Sequence, residues 1–133
     1  MYLLIDPSLD SKLRLNLFNN HSSSGLITEV KAENFLETID SFLSKQDITP
    51  SKLEGIAVVV GEGKFTATRI ATVIANTFKF ADNKLKLLAL GSDEIELGSN
   101  KKDIQNLSVL IEKFKEGEDN YLSAKYSGKP NIN

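Results

Sequence analysis

The stretch that most constrains the fold is an apolar run that ends at two closely spaced glycines and leads directly into a helix-forming segment. Residues 55–60 are small or β-branched, and a continuous apolar run of this length is typical of a strand covered on both faces of a sheet. Gly61 and Gly63 permit a tight turn that a β-carbon would obstruct. The helix predicted to begin near Thr66 presents free backbone N–H groups, which favour anions. The run therefore predicts a central strand, a glycine turn and a helix in succession.

Composition is that of one ordinary globular domain. The 133 residues are 41% hydrophobic and 26% charged, with a formal net charge of −2, so no broad basic surface for nucleic acid is expected. Because the sequence has no cysteine, disulfides, thiolate zinc sites and a cysteine nucleophile are excluded. The apolar run at residues 2–5 is too short for a signal peptide, and no stretch approaches the roughly 20 apolar residues of a membrane span. We therefore expect a cytoplasmic protein with no membrane contact.

Hydrophobic periodicity predicts three strands, followed by helix, strand, helix, strand and helix. The first three strands are expected to form an antiparallel meander because their links are short. The predicted strands cover residues 2–5, 13–17, 26–30, 56–60 and 85–90, and the predicted helices cover residues 32–45, 66–80 and 103–115. This order is the plan of a ribonuclease-H-like α/β domain, the half-unit of the actin-like ATPase superfamily. We expect one such domain with a mixed five-stranded sheet at residues 1–118, and an irregular tail at residues 119–133.

The glycine segment resembles the signature of the TsaB family, the non-catalytic subunit of the bacterial tRNA threonylcarbamoyladenosine machinery. That family typically reads Gly-Pro-Gly-Ser-Phe-Thr-Gly-Leu-Arg-Ile-Gly at this place. Six positions match, namely Gly61, Gly63, Phe65, Thr66, Arg69 and Ile70, and five depart, namely Glu62, Lys64, Ala67, Thr68 and Ala71. The opening residues 3–8 also resemble the family's Ile-Asp-Thr-Ser strand and turn, with Pro7 in place of Thr. Residues 49–54 are similar to the family's lead-in to the glycine strand.

The resemblance implies a truncated member that keeps the N-terminal half. Family members usually carry a second, comparably folded half, whereas only about 40 residues follow the fifth predicted strand here, enough for a helix and a tail. The implied role is a non-catalytic scaffold that binds TsaD as a heterodimer, with a TsaE-like ATPase as a further component. TsaD transfers the threonylcarbamoyl group to tRNA, so this chain is expected to contact tRNA only indirectly and to need no metal or cofactor.

The apolar stripes of the first two helices predict the partner surface, because they are broader than one sheet contact needs. The resemblance implies that both helices pair with the same helices of TsaD in a bundle. The predicted interface residues are Phe35, Ile39, Phe42, Arg69, Ile70, Val73, Ile74 and Thr77. Arg69 has two interpretations: it braces the glycine loop through hydrogen bonds to carbonyls, or it reaches across a subunit interface. Without TsaD, the same surface is expected to pair with a second copy.

Two other kinds of site compete with the scaffold interpretation. The segment from Gly61 to Lys64 offers a phosphate cradle, but it lacks the glycine spacing of a P-loop and of a dinucleotide motif. Asp6, Glu37 and Glu62 fit the carboxylate positions of a metal-dependent ribonuclease-H-like nuclease, which holds paired metal ions at the end of the sheet. The alternative without a catalytic role is that Asp6 forms a turn and the glutamates are solvated. A small nuclease and a homodimeric interaction module are therefore the alternative functions.

Overall fold

The computed structural model of the chain describes residues 1–61, 63, 65–117 and 119–123. Its eight main elements follow the predicted order of three strands, helix, strand, helix, strand and helix. They are β1 (Tyr2–Asp6), β2 (Lys12–Phe18), β3 (Ser23–Glu29), α1 (Phe35–Lys45), β4 (Gly55–Val59), α2 (Phe65–Ala81), β5 (Lys86–Leu90) and α3 (Leu107–Glu116). Short 3-10 turns at Ala32–Asn34, Pro50–Lys52 and Ser92–Glu94 precede α1, β4 and α3.

The strands form one mixed sheet in the order β3-β2-β1-β4-β5. β1 and β2 pair antiparallel, as do β2 and β3, because short turns connect them. β1 pairs parallel with β4, and β4 with β5, since a helix connects β4 to β5. β4 lies inside the sheet and every residue of it is buried, which confirms the central strand predicted from the apolar run. The mixed five-stranded α/β architecture is confirmed as well.

Each face of the sheet supports its own core, because successive strand side chains point to opposite faces. Leu3 and Ile5 of β1 pack in a cluster with the buried sides of α1 and α2. Tyr2 and Leu4 point the other way and pack in a second cluster with α3. In that second core the rings of Tyr2 and Phe114 lie 4.8 Å apart between centroids. The sheet is thus sandwiched between two helices on one face and one helix on the other.

The predicted third helix begins too early. Residues 103–106 are not helical: Ile104 pairs with Leu97 in an isolated antiparallel bridge, and α3 begins only at Leu107. Ile104 is nevertheless buried at 4% exposure. Its side chain therefore fits the apolar stripe of the predicted helix although its backbone belongs to a loop.

This loop, residues 98–104, crosses the sheet over β2 and β3, and we call it the crossing loop. The side-chain Nδ2 of Asn16 donates to the Lys102 carbonyl at 2.7 Å. The backbone N–H of Ile104 donates to the Ser23 hydroxyl at 2.8 Å. A β-carbon on Gly25 would lie only 2.2 Å from the Lys102 carbonyl oxygen. Residues 23–25 form the start of β3, and their small side chains admit the crossing loop.

Residues 119–123 lie along α2 as an ordered strap, which we call the C-terminal strap. Leu122 is 8% exposed and belongs to the core beneath α1 and α2. The Asn76 side chain bonds both the N–H and the carbonyl of Leu122, at 2.8 and 3.0 Å. Lys79 is 4% exposed, and its ammonium lies 2.5 Å from the Asp119 carboxylate. The first part of the predicted irregular tail thus packs on the domain, and residues 124–133 lie outside the described residues.

Candidate functional site

The glycine turn joins β4 to α2 in a conformation that favours glycine. Gly61 and Gly63 have φ angles of +89° and +81°, a region that residues with a β-carbon adopt only at a cost. A β-carbon on Gly63 would also lie 2.8 Å from the Cα of Ser8. The two glycines therefore have a conformational role, and Gly63 brings the turn against the loop that follows β1. Glu62 and Lys64 lie outside the described residues.

The rest of the signature opens α2. The helix begins at Phe65, Thr66 is exposed, and the Arg69 guanidinium lies 6.0 Å from the centroid of the Phe65 ring. A cation over an aromatic face is a weakly stabilising contact at an exposed position. Arg69 is itself exposed, so this contact holds the side chain near the turn while leaving its polar atoms accessible from outside.

A surface groove of about 630 Å³ lies beside this helix start. Thr66 and Ala67 line it from α2, Pro7 and Leu9 from the loop after β1, and Phe35 from α1. The groove sits at the carboxyl edge of β1, where α/β folds commonly place ligands. Lys12, Lys31 and Glu29 also line it, so the groove combines apolar contact area with charged groups of both signs.

Asp6 is held by its own chain. It is 1% exposed, and Arg14 Nη1 lies 2.6 Å from its Oδ2. Its Oδ1 accepts the Ser8 N–H at 2.9 Å and the Ser8 hydroxyl at 2.5 Å. Both carboxylate oxygens therefore have protein donors, which matches the turn-forming interpretation of Asp6.

Glu37, the other described carboxylate of the nuclease hypothesis, does not join Asp6. Glu37 is exposed on α1 and lines a different groove, beside β3. Glu62 lies outside the described residues. Over residues 1–61, 63, 65–117 and 119–123, no three histidine, aspartate or glutamate side chains group closely enough to hold a metal ion. A metal at Asp6 would first have to displace Arg14.

Half of the residues predicted to form the partner surface are buried in this chain and half are at least partly exposed. For the buried residues, the predicted contact with a partner is corrected. Four of its eight residues belong to the core of this chain, with exposures between 0% and 8%, namely Phe35, Ile39, Phe42 and Ile74. They pack against the sheet, so they are occupied within the domain. Ile70 is half-buried, whereas Arg69, Val73 and Thr77 are exposed. The surface open to a partner is therefore narrower than the apolar stripes indicate.

Two further apolar side chains of the predicted stripes are exposed, although they are not among the eight predicted interface residues. Phe80 is 82% exposed and continues the line of Arg69, Val73 and Thr77 along α2, because these positions recur at helical spacing. We call these four residues the α2 face. Leu36 on α1 is 47% exposed. Both residues belong to the apolar stripes of the predicted helices, and Phe80 falls on the same helical line as Val73.

Leu36 lies on the side of α1 that is turned away from β3. Thr38 and Ser41 of α1 turn toward β3, where they line a groove with Leu26. Helical spacing puts Leu36 on the opposite side of α1, which is the side of α2. Each of the two helices therefore presents exposed apolar side chains, Leu36 on α1 and Val73 and Phe80 on α2.

In the part of the chain that the structure describes, no helix is long and apolar enough to cross a membrane.

Comparison with solved structures identifies the fold. The chain superimposes on YeaZ from Pseudomonas aeruginosa with a TM-score of 0.59 and 16% sequence identity, covering 79% of this chain and 64% of that one. An uncharacterized protein with similarity to peptidase YeaZ, also from Pseudomonas aeruginosa, matches with the same TM-score, identity and coverage of this chain, and over 63% of its own length. YeaZ is TsaB, so the resemblance to TsaB is confirmed as a likeness of fold.

The chain spans less than two thirds of either of these structures. No protein-family profile matches the sequence. No curated protein matches it either.

Proposed function

We propose that this chain is a non-catalytic scaffold subunit that binds a TsaD-like protein in tRNA N6-threonylcarbamoyladenosine biosynthesis. The likeness of fold to YeaZ supports a place in that family. The partner carries the transfer chemistry, a TsaE-like ATPase is the further component, and tRNA is contacted mainly through the partners. The cytoplasm, where tRNA is modified, is the proposed compartment.

The α2 face is the observation that carries this proposal. Val73 is 55% exposed and Phe80 is 82% exposed, and with Leu36 they form apolar surface on neighbouring helices. Exposed apolar groups that lie together, bordered by polar residues, mark protein–protein contact sites more often than scattered ones do. Arg69 and an aromatic residue on the same face are the residue types that most often anchor such contacts.

A helix pair that offers one apolar line suits a helical partner surface. Val73 and Phe80 are two turns apart on α2, so a facing helix can contact both at once. Thr77 lies between them, and its hydroxyl donates to the Val73 carbonyl at 2.8 Å. The hydroxyl is therefore satisfied within the helix and can be covered by a partner at little cost.

The test is co-purification of the chain with the TsaD-like protein of the same genome. Val73→Glu places a charge in the middle of the α2 face, and its burial in an interface costs several kcal/mol, so we expect at least about a hundredfold weaker binding. Val109→Glu is the matched control, because Val109 is 51% exposed on α3, at the opposite side of the sheet. It should bind as the unmodified chain does.

Three results would contradict the proposal: no binding by the unmodified chain, equal loss in both variants, or full binding by Val73→Glu. If Val73→Glu abolishes self-association and no TsaD-like protein binds, the homodimeric interaction module becomes the better explanation of this face.

A further inference from the structure

β3 ends the sheet on one side, and the pairing pattern shows which of its backbone groups point away from β2. The Asn19 N–H donates to the Ser22 carbonyl, and the Val30 N–H to the Ser11 carbonyl. These bonds bracket the β2–β3 ladder, and hydrogen-bonded pairs recur at every second position of an antiparallel ladder. Positions 24, 26 and 28 of β3 therefore bond β2, and positions 23, 25, 27 and 29 point their N–H and C=O groups away from it. Among the described residues β3 pairs only with β2.

Among the described residues, this edge lacks the usual protection against pairing with another strand. Natural edge strands are commonly blunted by lysine, proline, bulges or shortness. β3 has seven residues, and its first six, Ser-Ser-Gly-Leu-Ile-Thr, include no charge and no proline. Its register with β2 runs without interruption from Ser23 to Glu29, so no bulge twists the edge away.

A groove of about 610 Å³ runs beside this edge between β3 and α1. Leu26 and Thr28 line it from the strand, and Thr38, Ser41 and Phe42 line it from the helix. An added strand lies about 4.8 Å from its neighbour, and every second side chain points to the same face. The groove therefore has room for the side chains that an added strand would place on the α1 side.

We propose that a second copy of this chain pairs its own β3 with this edge, antiparallel, around a two-fold axis at Leu26. In this register, Ser23 and Gly25 of one copy lie opposite Glu29 and Ile27 of the other. It is the register in which all four outward positions of both strands find partners within β3. It also places Glu29 opposite a neutral serine, whereas an axis at Glu29 would place two carboxylates against each other.

The side chains in the groove are complementary in the same register. Leu26 meets the second copy's Leu26 in a pair without hydrogen bonds, where β-carbons approach most closely. Ser24 lies opposite the second copy's Thr28, and hydroxyl pairs of this kind stabilise neighbouring strands. An isologous contact needs such self-complementarity, because each residue meets its own symmetry partner. The edge is separate from the α2 face, so both contacts can exist in one assembly.

Disulfide trapping in the full chain tests the register, because the sequence contains no cysteine. Leu26→Cys puts one thiol at the axis and should form a linked dimer under mild oxidation. Ser24→Cys and Thr28→Cys should link poorly alone but readily when mixed, at least about tenfold faster than either alone, since pairing raises the effective thiol concentration. The polar positions guard against a Leu26 variant that fails to fold, which circular dichroism would reveal.

Val73→Cys on the α2 face and Val109→Cys on α3 are exposed controls. Dimers that link faster through Val73→Cys than through Leu26→Cys would overturn the proposal in favour of a helical self-interface. A Ser24→Cys and Thr28→Cys mixture that links no faster than either variant alone would overturn it too. Concentration-dependent slowing of hydrogen exchange at the Gly25 and Ile27 amides of the unmodified chain would support it.

Discussion

Single residues decide how closely the loops approach the sheet, and Gly25 is the sharpest case. A β-carbon there would overlap the Lys102 carbonyl, at 2.2 Å from the oxygen and 2.8 Å from the carbon. Backbone cannot swing aside as a long side chain can, so Gly25→Ala should displace the crossing loop. We expect the free energy of unfolding to fall by about 1–3 kcal/mol, measured by urea denaturation. Ser24→Ala, on the other face of the same strand, should change it by less than about 0.5 kcal/mol.

Asp6 is a structural residue on the present geometry, and its variant separates the scaffold from the nuclease. Asp6→Asn removes the carboxylate that Arg14 binds at 2.6 Å in a nearly buried pair. Because the guanidinium then loses its counter-charge, we expect a loss of about 3 kcal/mol in the free energy of unfolding. The chain should hydrolyse neither ATP nor nucleic acid with Mg²⁺ or Mn²⁺. Cleavage that disappears in a folded Asp6→Asn variant would revive the nuclease hypothesis.

At the scale of the element, α2 carries neighbouring residues with opposite roles. Ile74 is 8% exposed in the core, and Val73 is 55% exposed on the α2 face. Ile74→Glu buries a charge without a partner and should cost at least about 3 kcal/mol. Val73→Glu should change stability by about 0.5 kcal/mol or less. Thermal unfolding measures both, and equal destabilisation would mean that α2 is rotated relative to the sheet.

The C-terminal strap should respond to acid. The hydrogen bond from Lys79 is the main reason that the pKa of Asp119 lies below its ordinary value of 3.8. The folded state thus releases this proton more readily than the unfolded state, so the ion pair stabilises the strap above that pH and is lost as the pH falls below it. We expect the protection of the Leu122 amide, its exchange rate relative to an unstructured peptide at the same pH, to fall at acidic pH. In Asp119→Asn that fall should be smaller, and an unchanged pH profile would contradict the assignment.

The whole molecule depends on the strap as well. A chain that ends at residue 118 lacks Leu122, which is buried with the residues of α1 and α2, whereas a chain that ends at residue 123 retains it. Burial of a leucine side chain is worth about 2 kcal/mol, so the free energy of unfolding of the shorter chain should be lower by that amount. Its unfolding midpoint should therefore lie at a lower denaturant concentration. Equal midpoints would place the domain boundary at residue 118, as the sequence predicts.

Element order and type followed from the sequence because they depend on local periodicity. The run at residues 55–60 and the two glycines after it predicted β4 and the start of α2 to within one residue. The alternation of Leu13, Leu15 and Leu17 predicted β2 in the same way. These signals are carried by neighbours in the chain, and backbone geometry converts them directly into one face or one stripe.

Only the tertiary structure decided which apolar and polar residues are covered. The alternating pattern of β2 predicts that Asn16 points to solvent, yet Asn16 is fully buried. The crossing loop covers it, and the carbonyl of Lys102, 86 positions later in the chain, accepts a hydrogen bond from its side chain. Ile74 and Val73 are equally apolar in sequence, and the packing of α2 on the sheet separates them. The order of the elements was therefore determined by the sequence alone. The surface left for a partner was not, because burial is set by contacts between residues far apart in the chain.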